Sequence, residues 1–286
     1  MTDFTFQKGS SSSPLAVFIH GLGLAMESWT EPAAQKIFIG TKRLSEHFCS
    51  SEMMTSFNDL KEKGFSVLTW TQRRPAGPVS IAVDELENLL IQHKKYVNNG
   101  LVIFGHSRGG LIARKFLENS PYNLRMLVTV GTPHQGSGLC DLAKKISIFS
   151  SAVARIQPDR EDVSGLVKAA RLMQSRGFKE LYTGSHFLSS LKNERARDAG
   201  YISVGGTNPD LVKIKKQSLA DILSRYLPGF VVPDELKTGI GDGLVTCNSA
   251  VLPYADEHKD FHCNHLALLF AKEVREYLLS AVSDLF

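Results

Sequence analysis

Residues 101–117 place a serine on a sharp turn between a strand and a helix. The apolar run 101–104 leads into the pentapeptide G-H-S-R-G at 105–109, and a helix-like stretch follows directly. Such a turn forces Ser107 into a strained backbone conformation, and the positions two before and two after it must be small because the chain folds tightly on itself there. The pentapeptide occurs once, and its position between a strand pattern and a helix pattern favours a nucleophilic serine over a chance match.

The same turn also provides electrostatic stabilisation. It exposes the Ser107 hydroxyl, and the amide of Arg108, at the start of a helix, points toward any oxygen anion formed beside the serine. A second amide donor is expected in the loop after the first core strand, where residues 20–23 read H-G-L-G. Because the glycines let this backbone approach a substrate closely, we assign the second donor to the amide of Leu22.

The remaining sequence predicts one large α/β domain over residues 1–286. Short apolar runs without strict alternation are typical of strands buried on both faces, and here they alternate with helix-length segments. This order favours a mostly parallel central sheet flanked by helices. The predicted strands are 14–20, 65–70, 101–105, 125–131 and 201–204, with a candidate edge strand at Phe4 and Phe6, and the predicted helices are 41–63, 79–96 and 108–119.

The strand pattern is interrupted between residues 131 and 201, where helical periodicity takes over. Apolar residues recur at steps of three and four from Leu139 to Ile156, and Pro158 ends the series. We interpret residues 136–198 as an inserted helical cap, or lid, over the sheet edge from which the serine emerges. An ordinary packing layer would show the same periodicity and remains the alternative.

The inserted region is also the basic part of the chain. Residues 135–198 hold eleven basic and seven acidic residues, an excess equal to the formal net charge of +4 of the whole protein. An anionic head group or transient contact with an acidic membrane surface would suit this charge, and a solvated helix face is the simpler alternative. No stripe of alternating basic and aromatic residues occurs, so we expect no nucleic-acid partner.

The amino-terminal segment and the cysteines predict a cytoplasmic protein. Residues 1–8 include an acid and polar residues where a secretion signal would have a continuous apolar core, and no apolar stretch approaches the length of a transmembrane segment. The cysteines are widely spaced and form no C-x-x-C pair, which predicts free thiols and neither a zinc site nor a disulfide framework. Pairing of Cys247 with Cys263 is left open.

A nucleophilic serine needs a base and an orienting acid, and for a serine on this kind of turn the chain order is serine, acid, histidine. The best acid is Asp242, which glycines flank at 241 and 243, although a simple turn would look the same. The candidate bases are then His258, His262 and His265. We choose His265 because it heads an apolar-faced helix pattern at 266–274, with His262 as runner-up. The order excludes the earlier histidines as the base, and we expect most of them to be structural or exposed: His20, His47, His93, His106, His134 and His186.

Together these motifs resemble the α/β-hydrolase superfamily, in particular bacterial triacylglycerol lipases and the GPI-inositol deacylase-like serine esterases. The likeness rests on residues 20–23, 105–109, 131–136, 241–245 and 264–266, and on G-S-H-F-L at 184–188. It implies an α/β-hydrolase fold and a triad of Ser107, Asp242 and His265. Calcium-dependent lipases of this type carry an aspartate two residues after the catalytic histidine, and Ala267 stands there, so we expect no calcium site. We also expect no other metal and no cofactor.

The sequence thus predicts a serine hydrolase that cleaves carboxylic esters of lipid or acyl substrates through an acyl-enzyme. An acyltransferase or a thioesterase would use the same triad and stays an alternative, because the difference lies in the acceptor and the leaving group. A hydrolase-like binding protein without turnover is the alternative from another class. It is disfavoured because all three triad members are present.

Overall fold

A seven-stranded sheet organises the computed structural model, which describes residues 3–10, 12–36, 53–142, 172, 174–211 and 232–285. The strand order is β1-β3-β2-β4-β5-β6-β7, and every neighbouring pair is parallel except β1 with β3. The predicted, mostly parallel sheet is therefore confirmed. The strands are β1 Phe4–Gln7, β2 Leu15–Ile19, β3 Ser66–Trp70, β4 Leu101–His106, β5 Leu124–Val130, β6 Gly200–Gly206 and β7 Glu257–Phe261.

Helices cover both faces of the sheet, as parallel strands require. The described α-helices are α1 Glu27–Thr30, α2 Ser56–Glu62, α3 Val79–Gln92, α4 Arg108–Leu117, α5 Arg176–Lys179, α6 His186–Ser190, α7 Cys247–Ala250 and α8 Lys272–Val282. Short 3₁₀ turns occupy Pro32–Ala34, Lys94–Tyr96, Asp234–Leu236, Ala267–Leu269 and Ser283–Leu285.

The core consists of two apolar layers, one on each face of the sheet. On one face, Val17 and its alternate neighbours in β2 pack with side chains of α3 and α4, including Leu86 and Phe116. On the other, Phe18 packs with α2 and α8, including Phe57 and Leu278. Complete burial of β2 explains why its sequence shows no alternation. Each large apolar side chain removed from water contributes about 1.5–3 kcal/mol.

Two features near the carboxyl terminus differ from the sequence prediction. Strand β7 was not predicted, because it lies at the sheet edge and only Phe261 among its five residues is buried. The single helix expected from residue 266 is also wrong. A 3₁₀ turn covers Ala267–Leu269, and α8 begins at Lys272 after Ala271 adopts an extended conformation with φ −61° and ψ 131°.

The inserted region is described only in part. Helices α5 and α6 belong to it, whereas residues 143–171 and 173, with most of the apolar series that begins at Leu139, lie outside the described residues. The predicted helix at 41–63 is confirmed only for α2, because residues 41–52 also lie outside. The cap over residues 136–198 and the single domain over 1–286 stay predictions. In the described parts of the chain, no helix is both long enough and apolar enough to cross a bilayer.

Candidate active site

Ser107 occupies a strained turn at the carboxyl end of β4. Its backbone has φ 54° and ψ −127°, and it is one of two described non-glycine residues with positive φ. Its amide donates to the carbonyl of Val130 at 2.8 Å, which ties the turn to the end of β5. Positive φ in a residue with a side chain costs of order 1–3 kcal/mol and persists only where the surroundings impose it. The half-buried serine side chain is therefore held in the geometry that the pentapeptide predicts.

Two glycines are required by close contacts around this turn. A β-carbon at Gly109 would lie 2.2 Å from the carbonyl oxygen of Ile19, so α4 crosses the end of β2 in direct backbone contact. A β-carbon at Gly21 would lie 2.9 Å from Cβ of Ser107. The loop at residues 20–23 therefore packs against the serine itself, as expected for the backbone that carries Leu22.

Asp242 and His265 are in direct contact. Nδ1 of His265 donates to Oδ2 of Asp242 at 2.7 Å, and the two side chains are 2% and 0% exposed. The backbone amide of His265 also donates to the Asp242 carbonyl at 2.9 Å. The second carboxylate oxygen, Oδ1, accepts the amides of Leu244 and Val245 at 2.9 and 2.8 Å. The carboxylate is thus fixed at both oxygens, and in the neutral imidazole it selects the tautomer in which Nε2 is the acceptor.

His106 links the serine turn to the imidazole. Its Nε2 donates to the carbonyl of His265 at 3.0 Å, and the two rings lie 4.8 Å apart between centroids. Burial, reinforced by the neighbouring His265, holds the pKa of His106 well below its ordinary value, so this ring is neutral at pH 7. The backbone of His265 is therefore hydrogen-bonded to His106, the residue that directly precedes Ser107. Within the described residues, no hydrogen bond yet joins Ser107 Oγ to His265 Nε2; such contacts commonly tighten only when substrate binds.

Arg108 contributes a side chain as well as an amide. Its guanidinium is completely buried beside the serine turn and donates from Nη1 to Oε1 of Gln72 at 2.9 Å. Burial lowers the pKa of Arg108 to about 10, so it is charged at neutral pH. Gln72 was not identified by sequence reasoning. The only available signal was its position just after β3, at the sheet edge where the parallel strands end.

No other described histidine is hydrogen-bonded to Asp242. His262 is exposed, with Nδ1 3.3 Å from the Thr207 hydroxyl, so it does not take the place of His265 beside Asp242. His20, His106 and His134 are buried, His186 is exposed, and His47 lies outside the described residues. Cys247 and Cys263 are both free. Among the described residues, no cluster of three or more His, Cys, Asp or Glu could hold a metal ion.

Comparison with protein families gives one match over most of the chain. The model of the palmitoyl protein thioesterase family matches residues 16–220, which include the loop at 20–23 and the serine turn. A search of curated proteins found no match.

Solved structures resemble this chain in fold along nearly its whole length. The mature lipase BlEst2 of Bacillus licheniformis is 18% identical, with a TM-score of 0.55 over 98% of this chain and 97% of that one. A lipase-esterase related protein from Clostridium acetobutylicum is 12% identical, with a TM-score of 0.52 over 98% and 99% of the two chains. The likeness confirms the predicted α/β-hydrolase fold, and at these identities it shows the fold alone.

Proposed function

Since this chain belongs to the palmitoyl protein thioesterase family, we propose that it is a serine hydrolase that cleaves acyl esters or acyl thioesters through Ser107, His265 and Asp242. The observation that carries the proposal is the 2.7 Å contact between His265 Nδ1 and Asp242 Oδ2, because it leaves Nε2 as the proton acceptor of a base braced beside the serine turn. A base held in one tautomer by a buried carboxylate is what activation of a hydroxyl requires.

In the proposed reaction, Ser107 Oγ attacks the acyl carbonyl carbon while its proton passes to His265 Nε2. Asp242 stabilises the imidazolium that forms, and the amides of Leu22 and Arg108 donate to the oxyanion. Collapse of the tetrahedral intermediate breaks the bond to the alcohol or thiol, and His265 returns the proton to that leaving group. Water, deprotonated by the same imidazole, then releases the carboxylic acid and restores Ser107.

Both leaving-group classes fit this machinery, and each has support. The thioester is favoured by the family match, and the oxygen ester by the lipase-like motifs at residues 241–245 and 264–266. The apolar side chains of Ile240 and Leu244, both exposed beside Asp242, suit a substrate with a hydrocarbon chain. We therefore expect the substrate to be a lipid or another acyl compound, with water as the acceptor.

The decisive experiment combines covalent labelling with a substrate panel. A fluorophosphonate should label the wild-type protein and a Ser189→Ala control, in which an exposed serine is removed, but not Ser107→Ala. Oxygen esters and thioesters matched in short, medium and long acyl chains then identify the leaving group. Addition of alcohol or thiol acceptors tests for acyl transfer. Labelling that persists in Ser107→Ala contradicts the proposed nucleophile, and absence of both labelling and turnover favours a binding protein.

We also propose that the basic inserted region makes transient contact with an acidic membrane surface. The described part of this region offers exposed cations, among them Arg176 and Arg197. Sedimentation with anionic vesicles but not with neutral ones, weakened by salt, is the expected result. Turnover should also rise once an insoluble ester forms an interface, and unchanged kinetics across that threshold would contradict a lid role for residues 136–198.

A further inference from the structure

The Arg108 side chain joins three parts of the site from a fully buried position. Beyond its contact with Gln72, Nη1 donates to the Pro75 carbonyl at 3.4 Å and Nη2 donates to the Gly77 carbonyl. Nη2 also lies 3.9 Å from Oε2 of Glu180, which directly follows α5 in the inserted region. The Arg108 guanidinium therefore contacts the segment after β3 and the inserted region, while the Arg108 backbone forms part of the serine turn.

Gln72 extends this network to the loop that carries Leu22. Its Nε2 donates to the carbonyl of His20 at 3.1 Å, and its backbone amide donates to Nε2 of the same histidine at 3.1 Å. His20 directly precedes Gly21, which packs against Ser107. Since both Gln72 and His20 are buried, these contacts are not exchanged for water.

The direction of the hydrogen bonds makes this network specific. A guanidinium has only donors, so it must face the amide oxygen of Gln72, and the amide nitrogen is then turned toward the His20 carbonyl. Arg108 thereby fixes the orientation of Gln72, and Gln72 in turn fixes the end of β2. The two amides assigned to the oxyanion, those of Arg108 and Leu22, lie at opposite ends of this connection.

We propose that the Arg108 side chain is a positioning residue that sets the spacing of the two oxyanion donors through Gln72 and His20. The inference rests on the proposed function, since it assumes that these amides stabilise a tetrahedral intermediate. Oxyanion stabilisation depends on donors preorganised at the place where charge develops, so a small displacement of the 20–23 loop should reduce turnover more than substrate binding.

The sharpest test is Gln72→Glu. The new carboxylate has nearly the same shape and still accepts from Arg108, but it has no donor for the His20 carbonyl. Loss of one oxyanion donor typically costs about 10²–10³-fold in kcat, and a displaced donor should cost about 10–10²-fold. We expect kcat per active site to fall by that factor, while KM changes by less than about threefold. The affinity for an acyl trifluoromethyl ketone, which forms an oxyanion on the serine, should fall by the same factor as kcat.

Arg108→Lys and Arg108→Gln provide the second pair of variants. Lysine keeps the charge and has N–H donors but lacks the fork of the guanidinium, so it should retain more activity than glutamine. Arg74→Gln is the matched control, because this exposed arginine lies two residues from Gln72 on the same segment. Its kcat and ketone affinity should equal those of the wild type.

The readouts separate positioning from stability and from failure of the proposed function. A lower melting temperature and fewer titratable active sites, with unchanged kcat per site and unchanged ketone affinity, would overturn the positioning role. If Arg108→Gln does not fold, Gln72→Glu alone decides. Absence of turnover and of labelling in the wild type would refute the proposed function itself, whereas an active wild type with a fully active Gln72→Glu refutes only the inference about Arg108.

Discussion

His265 is held to Asp242 at two points: Nδ1 reaches the carboxylate at 2.7 Å, and the backbone amide reaches the Asp242 carbonyl at 2.9 Å. The two residues lie 23 positions apart in the chain, with α7 and β7 between them, so the two segments meet only in the folded protein. Because the backbone contact does not involve the imidazole, the loop geometry can survive removal of the ring. Substitutions at this pair therefore report on chemistry rather than on folding.

The two neighbouring histidines should differ sharply when each is replaced. His265→Ala removes the ring that contacts Asp242, and kcat should fall by about 10⁶-fold, as when the base of such a triad is deleted. His262→Ala removes an exposed ring beside Thr207 and should retain nearly full turnover. Steady-state kinetics with one activated ester measure both variants. The reverse ranking would move the base to residue 262 and contradict the proposed triad.

Asp242→Asn should abolish most activity without unfolding the protein. The amides of Leu244 and Val245 both donate to Oδ1, so an asparagine oxygen would take that position and its nitrogen would face His265. The nitrogen donates to Nδ1 and leaves the proton on Nε2, which can then no longer accept from Ser107. We expect kcat to fall by about 10⁴-fold with a nearly unchanged melting temperature. A loss of less than tenfold would show that Asp242 does not orient the base.

Gly109→Ala should damage activity and stability together, whereas Gly64→Ala should affect stability alone. At Gly109 the added methyl group meets the Ile19 carbonyl, and the turn must shift at a cost of about 1–3 kcal/mol. Gly64 has φ +85° and open space around it, so alanine there costs only about 1–2 kcal/mol of backbone strain. Urea unfolding and kcat per active site distinguish the two. Full activity per site in Gly109→Ala would contradict a rigid serine turn.

Sequence reasoning succeeded where the signal was local. Apolar runs predicted the central strands, because a strand covered on both faces must be apolar throughout, and the strained turn at Ser107 followed from the small residues on either side of it. The sequence did not predict features whose conformation or role depends on a partner that is distant in the chain. The charged strand β7 forms because β6 presents an unpaired edge, and Gln72 matters only because the fold brings it to Arg108.

The protein should lose stability as the pH falls below about 6.5, partly through His20. Burial, together with the charge of Arg108, lowers the pKa of His20 to about 4, although its contact with the Gly21 carbonyl opposes the shift. Its Nε2 accepts the Gln72 amide, and a proton placed there would face that donor. The unfolded chain binds the proton more tightly, so the contribution is complete above pH 6.5 and is lost as the pH falls toward 4.

At pH 5 this single group should account for about 2 kcal/mol of the decrease in the free energy of unfolding. Urea titrations at pH 7 and pH 5 measure the decrease in the wild type and in His20→Gln. His106 and His134, whose pKa values are also lowered by burial, are present in both proteins and contribute equally. The wild type should therefore lose about 2 kcal/mol more than the variant. Equal losses would mean that His20 does not enter the fold as a neutral ring, and its Nε2 would then not accept the backbone amide of Gln72.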